Sequence, residues 1–457
     1  MGVGPPIEEF QFHDAPNVEE VPGPESQRLI ENQLAQESNA VKYPRRTPIA
    51  IDEGRGATLR DVDGNTYLDF YAGIGVLNVG HSNPYVLEGA KEQLGKLVHS
   101  VDFPTEGRFE LMDKLDEIAP EGLRGNNRIL FGGPTGSDAI EASMKVAMKK
   151  TGGHGFIAFR GSYHGATSGA LSLSGMSKYR ADYSPLIGEV AHLPYPYPFQ
   201  QDVSPEEAVQ RSLDEVQTVL GSPAGGLANP AGIWVEPIQG QGGIVIPPEG
   251  FLEGLRDLAD EYDVPLVVDE IQTGFGRTGE WFGCDRYGVK PDIMPMGKAI
   301  GGIGLPLSGT MVDDDHDALD PGGHVGTFRG HVPAMVAGAR AIEYIQDNDL
   351  LAHCREMGAY IKSRFEEMQD GTSILGEVRG VGLFVALEFV DSDDQPDKEL
   401  AKVVQKRAFE RGVLVRAGGR LGNVLRFIPP LVITEEQAEI ASDIVAEIVR
   451  EVDDERS

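Results

Sequence analysis

Of the four lysines between residues 150 and 300, only Lys298 is embedded in an apolar, glycine-rich run, DIMPMGKAIGGIGLPLSG. An amine held in such surroundings is partly desolvated, gives up its proton more readily and becomes a nucleophile toward a carbonyl carbon. One strand–helix–strand step earlier, the apolar run of PLVVDEIQTGFGRTG ends on Asp269 and Glu270. A carboxylate at the end of a buried strand can hold a proton on a ring nitrogen, and the amine can form a Schiff base with an aldehyde. Taken singly, each has a plainer reading, a loop lysine and a helix N-cap. The N-cap reading of Asp269 leaves Lys298 unexplained.

Two further segments extend the pattern. GGPTGSDAIEASMKVA places Gly136 and Ser137 at a turn that opens a helix. Free backbone N–H groups and the helix dipole favour an anion there, whether or not Ser137 or Asp138 also caps the helix. FRGSYHG places Tyr163 and His164 just past another strand, within stacking reach of a ring. An amine, a carboxylate, a phosphate cradle and an aromatic face are together what pyridoxal phosphate needs. Gly274, Gly276 and Gly279 formally match G-x-G-x-x-G, but DEIQT separates them from the strand and no helix opens inside the motif. A nicotinamide dinucleotide is thereby disfavoured.

These residues need a scaffold that brings strand ends together. Short apolar strands are expected at 128–131, 156–159, 189–193, 232–236, 266–269 and 292–296, with helices at 137–150, 205–220 and 252–262 among them. Such alternation specifies an α/β fold with a parallel sheet covered on both faces and ligands at the carboxyl ends of its strands. Asp63-Gly64 turns a hairpin over 57–70. Helical periodicity marks 85–98, 107–118 and one long stretch over 333–369. After that, GEVRGVGLFVALEFV forms two strands or one bent strand. The expected organisation is a flexible or surface-draped segment at 1–25, a segment at 26–75 joining the small domain, a large domain at 76–332 and a smaller α+β domain at 333–457.

Acids number 72 against 40 bases, a net charge of −32, and only 14 of the bases are lysine. Nucleic acid and anionic membranes are disfavoured as partners. Dispersed acids with few lysines suit a cytoplasmic protein in concentrated salt, where charge repulsion is screened. No metal-binding spacing involves Cys284 or Cys354, no metal site is expected, and no apolar run reaches membrane length.

LVVDEIQTGFGRTG followed by PDIMPMGKAIGGIGLPLSG, with YHG, EPIQGQGG and GTFRG in the same order, resembles the class III (omega-) aminotransferases of the fold-type I pyridoxal-phosphate enzymes. The resemblance spans roughly residues 41 to 448. It implies a large domain with a mostly parallel sheet flanked by helices, a smaller α+β domain, and a homodimer with shared active sites. It implies that Lys298 carries the cofactor and shuttles a proton, that Asp269 pairs with the ring nitrogen, and that Gln272 lies near the ring hydroxyl. Gly136 and Ser137 would bind phosphate, Tyr163 would stack on the ring with His164 beside it, and Thr327 would reach the neighbouring subunit's phosphate. Arg426, in GNVLRFIPPL, resembles the arginine that grips a substrate carboxylate. Ile74, Glu236 and Gln241 would line the substrate side.

Gln241 stands where many relatives have a glutamate that masks the arginine when an omega-amine binds. A neutral amide cannot form that ion pair, which favours donors with a carboxylate for Arg426. His331 and Pro134 also depart from the family's usual residues. Other segments, such as FGGPTGSDAIEA and PYPYPF, resemble diaminobutyrate–2-oxoglutarate aminotransferases, whereas AGIGVLNVGH resembles the 4-aminobutyrate group. The expected activity is transfer from such an amino-acid or omega-amine donor to an oxo acid, 2-oxoglutarate foremost. A racemase or epimerase on the same scaffold shares the first proton abstraction, and a non-catalytic cofactor-binding protein is the remoter alternative.

Overall fold

The computed structural model describes residues 3–183, 186 and 188–456. The chain forms two compact units, one running to Tyr85 and resuming at Ala352, the other spanning Val86–Leu351.

In the first unit, β1 (Ile51–Arg55), β2 (Thr58–Asp61) and β3 (Thr66–Asp69) form the antiparallel meander expected around Asp63-Gly64. The carboxylate of Asp61 accepts from the Asp63 and Asn65 N–H groups and fixes the turn. Residues 7–18 lie on this meander, with Phe10 and Phe12 buried and the Phe12 N–H donating to Thr58 Oγ1 at 2.9 Å.

The second unit carries a seven-stranded sheet. Its strands are β4 (Asn127–Phe131), β5 (Gly155–Phe159), β6 (Glu189–Leu193), β7 (Pro230–Val235), β8 (Leu266–Val268), β9 (Ile293–Met296) and β10 (Gly309–Asp313), in the order β4-β10-β9-β8-β7-β5-β6. From β9 to β6 every pairing is parallel. β10, absent from the sequence expectation, runs antiparallel to both β9 and β4. No helix longer than the short turn Lys298–Gly301 separates it from β9, so the strand–helix alternation that marks the others is missing. Alternate residues of each strand enter different cores: Ile157, Ile233 and Val268 pack on one face, Phe156, Trp234 and Val267 on the other.

The stretch 333–369 is two helices rather than one, Val332–Asp347 and Leu350–Gln369. The break falls at Asn348-Asp349, where Asp349 takes φ 51°, a conformation that Asp tolerates better than most residues. The first of these helices belongs to the large unit, where it packs on Glu106–Glu117. Gly107 permits the approach, since a Cβ there would meet Val336 Cγ2 at 2.6 Å.

Returning to the first unit, β11 (Leu375–Val381) and β12 (Phe384–Phe389) are two strands, turned by Gly382 at φ 52°. The short strand β13 (Val413–Leu414) adds parallel to β3, and β14 (Arg416–Gly418) and β15 (Val424–Phe427) complete the sheet β11-β12-β15-β14. No helix among the described residues is long and apolar enough to cross a membrane.

Candidate active site

Four neighbouring parallel strands, β9, β8, β7 and β5, each end in a residue singled out from the sequence. Lys298 follows β9 by one glycine, Asp269 ends β8, Glu236 ends β7, and Tyr163 and His164 follow β5. All of these, with Gly136, Ser137 and Gln272, line one cavity of about 150 Å³. Ladder bonds carry the chain to the site: the Asp269 N–H donates to Val235 O at 2.8 Å and the Glu270 N–H to Pro295 O at 3.1 Å.

Asp269 is 4% exposed. One carboxylate oxygen lies 2.7 Å from His164 Nδ1 and the other accepts the Ile271 N–H at 3.0 Å. A carboxylate only accepts, so Nδ1 carries the hydrogen in this pair. Burial pulls the His164 pKa down, but the hydrogen bond and charge of Asp269, helped by Glu236, outweigh it and leave it raised. His164 therefore steadies Asp269, a link the sequence does not announce. Its Nε2 is buried without a partner.

Glu236 accepts from the Tyr163 N–H at 2.9 Å and the Gly240 N–H at 3.0 Å. Burial pushes its carboxyl up to about 7; His164 and these two N–H groups oppose the shift, and Asp269 adds to it. A carboxyl raised above its unfolded value of 4.5 stabilises the fold below that value and loses the contribution as pH rises through about 7. Glu236→Gln removes that loss. Its melting temperature should fall less than the wild type's between about pH 5 and about pH 8, by roughly 2 °C or more. Parallel melting curves across that range would refute the assignment.

The helix Gly136–Thr151 is capped by Thr135 and Asp138, not by Ser137: the Thr135 N–H and Oγ1 both donate to Asp138 Oδ2, at 3.1 and 3.0 Å. Ser137 Oγ instead accepts the Ala166 N–H at 3.2 Å. Gly136 and Ser137, the first two residues of the helix, line the cavity, and a helix start so placed suits a phosphate. Gly297, preceding Lys298, packs so closely that a Cβ on it would meet Gly136 Cα at 3.2 Å, bringing the helix start beside the segment that carries Lys298. Gly165, at φ 140°, leaves the space that Ser137 Oγ occupies.

Lys298 is half-buried and adopts φ 48°. This left-handed conformation costs an L-residue about 1–2 kcal/mol and is the kind of strain that functional sites retain. Tyr163 meets Tyr179 edge-on at 5.2 Å between ring centroids, and Gln241 Nε2 donates to Tyr179 Oη at 2.7 Å. Glu270 was not assigned a role from the sequence. It is buried, accepts the Gly283 and Cys284 N–H groups at 2.8 and 2.7 Å, and so pins the glycine-rich loop after β8. Its only sequence signal is its place beside Asp269.

Thr327 lies outside this cavity, exposed on a loop where its carbonyl lies 2.5 Å from His99 Nε2. Arg426 and Ile74 belong to the first unit. Arg426 is 2% exposed on β15, and Ile74 lies in the turn Ala72–Gly75 at φ 72°.

A carboxylate held by a raised-pKa histidine, an amine, and a helix start facing the same cavity fit the ring nitrogen, aldehyde and phosphate of pyridoxal phosphate. The family model for class-III aminotransferases matches residues 40–449. The diaminobutyrate–2-oxoglutarate aminotransferase of Rhizobium meliloti (strain 1021) is 36% identical over 429 residues, 91% of each chain. The alanine/serine racemase of Pyrococcus horikoshii is 35% identical over 439 residues, 94% of this chain and 91% of its own. Among solved structures, the ornithine aminotransferase from Toxoplasma gondii ME49 superposes with a TM-score of 0.81 at 28% identity, covering 94% of this chain and 96% of that one. An amine transaminase from an uncultivated Pseudomonas species, in a pyridoxal-phosphate-bound form, gives 0.82 at 27% identity over 91% and 97%. The chain belongs to the class-III aminotransferases, pyridoxal-phosphate-dependent enzymes that move an amino group from a donor to an oxo acid.

Proposed function

We propose that this enzyme transfers an amino group from a diaminobutyrate- or 4-aminobutyrate-type donor to 2-oxoglutarate. The observation that carries the chemistry is Lys298 and Asp269 lining one cavity, with Asp269 held by His164. The similarity to diaminobutyrate–2-oxoglutarate aminotransferases supports the choice of substrates.

Pyridoxal phosphate, when bound, supplies an aldehyde and an electron-accepting ring. The chain's residues divide the remaining tasks. Lys298 Nζ is the group that would hold the cofactor and that would move a proton at the substrate carbon. Asp269, held by His164, would face the ring nitrogen. Tyr163 would cover a ring face, Gln272 would meet the ring hydroxyl, and the Gly136–Ser137 helix start would hold the phosphate. Arg426 binds a substrate carboxylate through its planar fork. Glu236, Gln241 and Ile74 bear on the substrate side.

Incubating the holoenzyme with candidate donors, and with pyruvate or 2-oxoglutarate as acceptor, tests this reading. Glutamate should form from 2-oxoglutarate with one of the two donors. The racemase relative supports a second reading. Loss of optical rotation of an amino acid with no amine transfer would establish it in place of the first.

We also infer a homodimer in the cytoplasm of a cell with concentrated salt. Exposed Leu97, Val98, Val101 and Phe103 lie beside exposed Val325 and Phe328, and the Ser100 N–H donates to Gly330 O at 2.9 Å to join the two segments. Exposed apolar residues gathered on two joined segments suit an interface between copies, and Thr327 beside them would serve the neighbouring copy's phosphate. The net charge of −32 supports the salt requirement. Sedimentation and activity should show an active dimer above about 1 M salt and weakening in dilute buffer. A monomer at high salt would remove the dimer, and full activity in dilute buffer the salt requirement.

A further inference from the structure

The first unit carries a separate, open cavity of about 780 Å³, with walls that include Ile49, Leu59 and Phe409. Arg416 lines it and is 6% exposed. The guanidinium carbon lies 4.7 Å from the Tyr43 ring centroid and 5.8 Å from that of Tyr71. Its Nη2 is buried with no hydrogen-bond partner, and no carboxylate pairs with it among the described residues.

Its surroundings add positive charge. Arg416 and Arg426 are direct cross-strand partners in the β14–β15 register, so their side chains share a face, an arrangement that ordinarily destabilises like charges. Burial, then the charges of Arg46, Arg416 and Arg426, hold the Lys42 amine below its usual range. The acids on the cavity wall are engaged elsewhere. Asp69 Oδ2 lies 2.7 Å from His81 Nε2 and Oδ1 accepts the Tyr71 and Ala72 N–H groups, while Glu37 accepts from Gln33 Nε2. A buried charge without a counter-charge costs several kcal/mol. In a chain with 72 acids and 40 bases, a missing carboxylate is not a shortage of supply.

We propose that Arg416 is a carboxylate-binding residue, and that this cavity takes a small organic carboxylate whose anionic group supplies the absent counter-charge. The guanidinium fork receives the two oxygens, and the carbon chain lies along the apolar wall. Such a carboxylate can come from the reaction's own amino or oxo acids or from a separate effector. The first source rests on the aminotransferase reading, whereas the binding itself does not.

Calorimetric titration of the holoenzyme with glutarate tests the proposal. Glutarate has two carboxylates but no amino or oxo group, so no turnover is involved. Arg416→Met keeps a linear stem between the two tyrosines and Arg416→Gln keeps polarity. Both should raise the Kd for glutarate at least tenfold, with partial recovery in Arg416→Lys. Arg416→Met should also melt no lower than the wild type without ligand, because it removes an uncompensated charge; a purely structural arginine would lower the melting point. A parallel rise in KM for 2-oxoglutarate identifies the substrate as the source, and an unchanged KM with a raised glutarate Kd identifies an effector. A glutarate Kd unchanged in both variants overturns the proposal.

Discussion

Replacing Lys298 with alanine is expected to lower kcat by at least about 10⁴-fold, since general acid–base work alone contributes up to about that factor and the covalent link is lost with it. The side chain is placed by three local features: the apolar strand β9, Gly297 packed on Gly136, and the left-handed turn at Lys298 itself. Alanine keeps the same backbone, so the fold should persist. Cofactor should still bind through the helix start and Asp269, but the near-visible absorption of the lysine-linked form should disappear. Steady-state rates and the absorption spectrum check both parts. A variant retaining a tenth of the wild-type rate would show that another amine does the work.

Asp269→Asn is expected to lower kcat by at least about 10²-fold, the scale seen when one preorganised electrostatic contact is deleted from a water-excluded site. The substitution preserves shape and exchanges a charge for an amide. His164 then loses the partner that raised its pKa, and burial prevails, so the imidazole should go neutral. Rates measured with saturating cofactor check this, and near-normal turnover would mean that the ring nitrogen has a different partner.

That Lys298 and Asp269 share one cavity could be expected from the sequence because each follows a nearly unbroken apolar strand, and a polar group there has few structural reasons to exist. The turn at Gly136–Ser137 was visible through the same logic, although the cap of its helix proved to be Thr135 with Asp138. The links among these residues were not visible. His164 meets Asp269 across 105 positions and Tyr163 meets Glu236 across 73, and only strand order decides such pairs. β10 escaped notice because no full helix separates it from β9, so the strand–helix alternation that marks the others is missing. The split at Asn348-Asp349 escaped because neither glycine nor proline marks it and the apolar periodicity runs through.

Adjacent strands are spaced by about 4.8 Å, so the four strand ends from Lys298 to His164 form a comb roughly 14 Å wide. Each tooth is rooted in its own strand and followed by its own loop. A change at the Glu236 tooth can therefore leave the Lys298 and Asp269 teeth where they are. This modularity gives a physical route by which scaffolds as alike as a racemase and an aminotransferase diverge without rebuilding the sheet.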